Sequence, residues 1–130
     1  MGVTVEWDSE YEVIRADFEA EWTYADYYMM LEQVVAMAAS AKHLIDLIYV
    51  LPASGILPRG PAMTRFVQTA ATLPANVGRV VFVGGNYHAQ LMVSTFLEIY
   101  KEQRMRTLQA RTLDEARALL RKGRSERLSA

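Results

Sequence analysis

Two short runs of almost continuous apolar residues constrain the fold of this chain most. Residues 44–50 read Leu-Ile-Asp-Leu-Ile-Tyr-Val, and residues 79–83 read Arg-Val-Val-Phe-Val. Such runs are typical of central parallel strands that are covered on both faces. Each run is followed by glycine or proline, which end a strand, and then by a segment with helical spacing. The pattern predicts an α/β domain built around a parallel sheet.

The remaining segments complete the predicted order of elements. Residues 3–7 and 14–22 alternate apolar and polar side chains, which indicates two antiparallel strands with one polar face. Thr23 and Asp26 are suited to cap a first helix, whose predicted buried stripe is Tyr27, Leu31, Val34, Val35 and Ala38. A fifth strand is expected at 105–109, and Thr112 to Glu115 is a capping box that opens the last helix. The expected fold is ββαβαβαβα, a mixed, mostly parallel five-stranded sheet with four helices.

Length and composition narrow the class of protein. A chain of 130 residues suits one domain, expected over residues 1–122 and followed by a basic polar tail at 123–130. The absence of cysteine excludes a disulfide scaffold and a cysteine nucleophile, and two histidines are too few for a histidine-rich metal site. A net charge of −1 argues against a nucleic-acid binder. No secretion signal or membrane span is visible, so a cytoplasmic protein without metal or cofactor is expected.

The net charge hides an uneven distribution along the chain. Residues 1–65 carry ten acidic and four basic side chains, a balance of −6, whereas residues 66–130 carry five acidic and ten basic, a balance of +5. The two halves either lie apart or pair with each other across the folded surface. A two-signed surface that orients a partner or a second copy is the alternative.

Element order and hydrophobic pattern together resemble the STAS superfamily, in particular its small stand-alone branch described as anti-sigma-factor-antagonist-like. The segments that carry the resemblance are Phe18…Trp22-Thr23, Leu44-Ile45-Asp46-Leu47, Val80-Val81-Phe82-Val83-Gly84 and Thr112-Leu113-Asp114-Glu115-Ala116. The match extends over nearly all of residues 3–122. The resemblance implies a regulatory or binding domain rather than an enzyme.

The resemblance also implies a phosphorylation motif that this chain matches only in part. Antagonists of the family carry Asp-Ser-Ser-Gly after the central strand, and a partner kinase phosphorylates the first serine. Here the corresponding residues are Pro52-Ala53-Ser54-Gly55. The acid and the acceptor serine are replaced by Pro52 and Ala53, and Ser54 and Gly55 alone match.

The loops after the two central strands form the first candidate site. Ligands of open α/β sheets bind at the carboxyl ends of strands, near helix N-termini. Free backbone N–H groups and one arginine there would suit an anion. The alternative is that the glycines form tight turns and Asn86 caps a helix. The candidate ligand-binding residues are Ser54, Gly55, Arg59, Gly84, Gly85, Asn86 and His88.

Two further candidates involve titratable groups. His88 lies near a helix start, where the dipole favours its neutral form, and it could act as a base or a donor, although no nucleophile is paired with it. The acids Asp17, Glu19 and Glu21, with Glu6, lie on one side of the predicted hairpin and could hold a hard cation. An exposed charged face is the ordinary alternative.

The outer side of the first helix is the candidate partner surface. With Tyr27, Leu31 and Ala38 placed inward, Met29 and Ala36 point away, Met37 lies on the flank, and Glu32 and Gln33 supply the polar groups there. A helix that is apolar around most of its circumference is usually covered. We expect regulatory association with a protein partner or a second copy through this surface. The alternative is a carrier or sensor of a small apolar or anionic ligand near the central loops.

Overall fold

A computed structural model describes residues 2–9, 12–54, 62–70, 72–99 and 107–129 of the chain. Its strands are β1 (Val3–Ser9), β2 (Val13–Phe18), β3 (Ile45–Leu51), β4 (Val77–Gly84) and β5 (Thr107–Ala110). Its helices are α1 (Tyr24–Ala39), α2 (Ala62–Ala70), α3 (Tyr87–Ile99) and α4 (Leu113–Ser129). The predicted order of elements is confirmed. The predicted start of the fifth strand at 105 and 106 lies outside the described residues.

The five strands form one sheet in the order β1-β2-β3-β4-β5. β1 pairs with β2 in antiparallel orientation, and the other three pairs are parallel. The predicted mixed, mostly parallel α/β sheet with an antiparallel edge strand is therefore confirmed.

Sequential strand order decides where the helices lie. Each of α1, α2 and α3 connects a parallel strand to the next one, and right-handed crossovers in one direction place all three helices on the same face. The larger hydrophobic core lies between that face and these helices. Its members include Ile14, Phe18, Trp22, Tyr27, Met30, Val34, Leu47, Tyr49, Ala89 and Val93.

The opposite face of the sheet is covered by α4 alone among the described helices. A second, smaller core there joins Ile48 and Val81 of the central strands to Ala116 and Leu120 of α4. Asp46, one pleat before Ile48 on the same face, is fully buried. The apolar run 44–50 is thus covered on both faces, as predicted for a central strand.

Two arginines on α4 anchor this helix by ion pairs with distant strands. Arg124 Nε donates to Asp46 Oδ2 at 3.1 Å, and its Nη2 donates to the Glu12 and Leu44 carbonyl oxygens at 2.7 and 3.2 Å. Arg117 Nη2 donates to Asp8 Oδ1 at 2.7 Å, and this hydrogen bond is the main reason that the pKa of Asp8 lies below its ordinary value. The basic half of the chain therefore pairs with the acidic half across the fold.

The C-terminal segment differs from the expected polar tail. Residues 123–129 continue α4, and Gly123 is buried against the side chain of Arg79. A Cβ at Gly123 would lie 2.2 Å from Arg79 Nη1, so the glycine allows the guanidinium to approach the helix backbone closely. Within this segment Arg124 reaches the buried carboxylate of Asp46.

The first helix begins and packs largely as predicted. Thr23 Oγ1 accepts the Asp26 N–H at 3.1 Å, and Asp26 Oδ2 accepts the Thr23 N–H at 3.0 Å, which is the expected cap. The predicted buried stripe is confirmed at Tyr27, Leu31, Val34 and Ala38. Val35 is half-buried, and Met30, which was not part of the predicted stripe, is buried. Met30 lies three residues after Tyr27 and four before Val34, at the centre of the buried face.

Aromatic side chains fill the end of the larger core that lies under α1 and α2. Rings of Phe18, Trp22, Tyr27, Tyr49, Phe66 and Phe82 contact one another in mostly edge-to-face geometry. The Thr69 hydroxyl lies 2.9 Å from the Arg65 carbonyl oxygen, to which it donates, so it accepts the Tyr27 hydroxyl proton at 2.6 Å. Burial raises the pKa of Tyr27 to about 12.

Breaking the anchor between α4 and β3 should destabilise the domain. Arg124→Ala leaves Asp46, which is 0% exposed, without its guanidinium. We expect the free energy of unfolding to fall by about 3 kcal/mol, the cost of removing one partner of a buried ion pair. The Arg79 N–H, 2.8 Å from Asp46 Oδ1, keeps its hydrogen bond in the variant. Urea unfolding measures it. Arg121→Ala, an exposed site on the same helix, is the matched control and should change stability by less than about 0.5 kcal/mol. Equal effects of the two substitutions would contradict the anchor.

Stability should also fall at alkaline pH because of Tyr27. Tyr27 has a pKa of 10.0 in the unfolded chain and of about 12 in the folded domain. Its contribution to the free energy of unfolding is therefore full below pH 10 and is lost between pH 10 and 12. Tyr27→Phe should lower stability at neutral pH by about 1 kcal/mol, the value of one hydrogen bond. Above pH 10 the free energy of unfolding of Tyr27→Phe, measured by urea unfolding, should decline less steeply than that of the wild type. The control is Tyr87→Phe, at a residue that is 72% exposed, and its stability should vary with pH as in the wild type. If Tyr27→Phe also showed the wild-type slope, the alkaline loss of stability would not come from Tyr27.

Candidate functional site

A cleft of about 890 Å³ opens at the carboxyl edge of the sheet, where β3, β4 and β5 end. Its walls are α3, which packs on one face of the sheet, and the first turn of α4, which packs on the other. Its apolar lining comes from the strand ends and the start of α4: Val50, Leu51, Phe82, Val83, Ala110 and Leu113. The cleft therefore curves around the edge of the sheet rather than lying on either face.

Two glycines form the turn from β4 into α3 beside the cleft. Gly84 and Gly85 have φ angles of 65° and 90°, which side chains other than hydrogen rarely tolerate. A Cβ at Gly85 would lie 3.2 Å from Ala89 Cβ and 3.3 Å from Leu51 Cβ. The tight turn predicted from Gly84-Gly85 is thus present, and it lets the backbone of β4 reach the cleft.

A hydrogen-bond network of uncharged side chains forms one wall. Gln90 Nε2 donates to the Gly85 carbonyl oxygen at 2.8 Å, and Gln109 Nε2 donates to the Gln90 carbonyl oxygen at 3.2 Å. The Ser94 hydroxyl lies 3.0 Å from the Gln90 carbonyl oxygen and 3.1 Å from Gln109 Oε1, and can donate to either. These bonds orient both carboxamides between α3 and β5.

The segment that enters α4 supplies the charged part of the lining. Thr112 Oγ1 accepts the Glu115 N–H at 3.1 Å, which is the Thr112 half of the predicted capping box. Glu115 Oε2 accepts the N–H of Arg111 at 3.2 Å, one residue before the predicted partner Thr112. The carboxylate of Glu115 is therefore held at the helix start. The guanidinium of Arg111 is exposed and makes no ion pair with the residues that the structure describes.

The structure brings together only part of the predicted ligand site. Gly84 and Gly85 line the cleft, and Ala53 lines it in place of its exposed neighbour Ser54. Gly55 and Arg59 lie outside the described residues.

The other two predicted ligand residues do not line the cleft. Asn86 Oδ1 accepts the Ala89 N–H at 2.9 Å, which is the helix cap that the sequence offered as the alternative. The His88 ring is exposed and lies edge-on to Tyr87, with ring centroids 5.9 Å apart.

Sequence reasoning missed the polar lining of the cleft. Gln90 and Ser94 are four residues apart on α3, and Gln109 and Arg111 flank the end of β5. The available signal was the position of these residues beside a strand end and a capping box. One glutamine on a polar helix face and one in a strand gave no reason to select them.

Part of the acidic cluster of the hairpin forms ion pairs with an arginine. Arg15, which lies opposite Glu6 in the β1–β2 register, forms ion pairs with Glu6, with Asp8 at 3.2 Å and with Asp17 at 3.0 Å. β2 ends at Phe18, so Glu19 and Glu21 lie beyond it. No group of three metal-ligating side chains occurs within the described part of the chain. The arrangement is that of a charged sheet face.

The outer face of α1 carries two exposed large apolar side chains. Tyr28 is 38% and Met29 is 50% exposed, and Glu32, Gln33 and Ala36 are exposed beside them. Met37 is half-buried and packs against the larger core. Arg65 of α2 reaches this face, with its guanidinium 4.1 Å from the centroid of the Tyr24 ring and Nη1 donating to the Tyr28 hydroxyl at 2.9 Å.

Comparisons of the chain with protein-family models, with curated proteins and with solved structures found no match. The resemblance to the STAS superfamily therefore stays a prediction. Among the described residues, no helix is both long and apolar enough to cross a membrane.

Proposed function

We propose that this chain is a non-enzymatic, STAS-like binding domain of the cytoplasm, which carries or senses a small ligand in the cleft at the carboxyl edge of its sheet. The observation that carries the proposal is the cleft itself, whose apolar floor of strand ends lies beside orientated carboxamides. A cavity of about 890 Å³ is within the range of small-molecule sites, which combine apolar lining with a few fixed polar groups.

The position of the cleft supports binding at this edge. Ligands of open α/β sheets bind beyond the carboxyl ends of the strands, where the loops leave room and the backbone has free hydrogen-bonding groups. The turn at Gly84 and Gly85 gives a ligand access to the end of β4 without an intervening side chain.

The chemistry of the lining favours binding over catalysis. The Ser94 hydroxyl is close to a carbonyl and a carboxamide oxygen, neither of which is a base at neutral pH. His88, the one histidine near this edge, is not part of the lining. Within the described lining, no nucleophile is paired with a general base, which is the arrangement that covalent catalysis requires.

Filling the cleft should abolish binding. Ala53 lines the cleft on an exposed loop, so Ala53→Trp adds a large ring there at little cost to the core. We expect small-molecule fragments, titrated into isotope-labelled protein and followed by two-dimensional NMR, to shift the Gly84, Gly85 and Gln109 signals. Ala53→Trp should remove these shifts.

Ala39→Trp, at an exposed site near the end of α1, is the matched control and should keep the same shifts. Fragments that leave every lining residue of the wild type unperturbed would overturn the proposal.

Association through α1 is a second candidate function, which the exposure of Tyr28 and Met29 favours. The outer face of this helix combines those apolar side chains with Glu32, Gln33 and Ala36. Exposed methionine adapts readily to a contacting surface. In this proposal the domain binds a protein partner or a second copy of itself through that face.

A charge on the α1 face should disrupt self-association. Met29→Glu places a carboxylate at the centre of the apolar face, so a wild-type dimer should become a monomer, measured by size-exclusion chromatography with light scattering. Leu91→Glu on α3 is the matched control, because Leu91 is 51% exposed against 50% for Met29. A monomeric wild type, or equal dissociation by both variants, would contradict self-association through α1.

A further inference from the structure

The charges and amides that line the cleft define a ligand chemistry, and the inference that follows rests on the function proposed for the cleft. The lining offers three kinds of contact: carboxamides with fixed orientation, one exposed guanidinium, and an apolar floor. A ligand that satisfies all three carries an amide, a negative group and an apolar substituent.

The carboxamides are suited to recognise an amide. Gln90 Nε2 uses one N–H on the Gly85 carbonyl oxygen, and Gln109 Nε2 uses one on the Gln90 carbonyl oxygen. Within the described residues each carboxamide therefore keeps a second N–H, and each carboxamide oxygen keeps at least one lone pair. The network fixes the direction of these groups, so little side-chain entropy is lost when a ligand amide pairs with them.

Arg111 and Glu115 are the charged residues of the described lining. Arg111 presents a guanidinium whose fork geometry matches a carboxylate. Glu115 is the acidic residue of the described lining, and its carboxylate accepts the Arg111 backbone N–H. A carboxylate on the ligand can accept hydrogen bonds from the Arg111 guanidinium and none from Glu115, whose carboxylate is itself an acceptor.

The apolar floor is suited to an aliphatic substituent. Leu51 and Val83 are buried beneath the cleft, and Phe82 and Leu113 are half-buried at its sides. Burial of an aliphatic side chain there removes apolar area from water on both partners.

We infer that the cleft binds an N-acylated amino-acid group, in which an amide and a free carboxylate flank an apolar side chain. In this arrangement Gln90 and Gln109 pair with the amide, Arg111 pairs with the carboxylate, and the side chain lies on Leu51 and Phe82. The group occurs in small N-acyl amino acids and at the C-terminal residue of a peptide, which share this chemistry.

The test compares two probes of nearly the same shape, one ending in a carboxylate and the other in a neutral carboxamide. N-acetyl-leucine and N-acetyl-leucinamide are titrated into isotope-labelled wild-type protein and followed by two-dimensional NMR. We expect both to shift the side-chain amide signals of Gln90 and Gln109, with the carboxylate form binding about tenfold more tightly because of its charge-assisted bond.

Two arginine variants assign that preference to its source. Arg111→Gln should bring the two affinities to within about twofold, whereas Arg121→Gln, the same change at an exposed site further along α4, should keep the tenfold difference. Equal loss in both variants would show a general charge effect and overturn the assignment to Arg111.

The outcomes separate this inference from the function proposed for the cleft. If both probes shift the lining residues with equal affinity, the ligand class is wrong and binding at the cleft stands. If neither the probes nor other small fragments shift any lining residue, both fall. A hexapeptide ending in a free leucine that binds more tightly than N-acetyl-leucine indicates a peptide source, and equal or weaker binding indicates a small metabolite; either result supports the shared chemistry.

Discussion

The buried contact between Asp46 and Arg124 is the interaction on which the second layer of the domain depends. Sequential strand order places three crossover helices on one face of the sheet, so the other face relies on α4 for cover. The apolar cluster beneath α4 is the smaller of the two cores, and a carboxylate lies within that face. A buried ion pair adds little net stability compared with apolar packing, but it strongly disfavours arrangements that leave one charge alone. The pair thus specifies where α4 lies.

The position of the cleft also depends on the contact between Asp46 and Arg124. The first turn of α4 supplies Leu113 and Glu115 to the lining, whereas Arg124 pairs with Asp46 near the start of β3. α4 therefore runs from the carboxyl edge of the sheet to its amino edge, and docking at one end fixes the wall at the other. The Arg117–Asp8 pair adds a second attachment, to the antiparallel edge strand.

Local signals in the sequence were sufficient for the fold but only in part for the site. Strand alternation, the caps at Thr23 and Thr112 and the turn at Gly84-Gly85 act over a few residues, so they could be recognised without the structure. Arg124 could not, because its partner Asp46 is 78 residues away and a basic segment ordinarily faces solvent. Gln90 and Gln109 could not be recognised for the same reason, because their contact joins residues that lie 19 apart in the chain and on two different elements.

Distance along α4 separates the part of the helix that secures the fold from the part that meets the cleft. Leu113 and Arg124 are eleven residues apart, which is about 16 Å at the rise of an α-helix. Substitutions at sites so far apart and without shared partners usually have independent effects. Exposed Arg111 can therefore change among descendants of this sequence under selection for a new ligand, whereas Thr112 and Leu113 remain constrained because they cap and pack the start of α4.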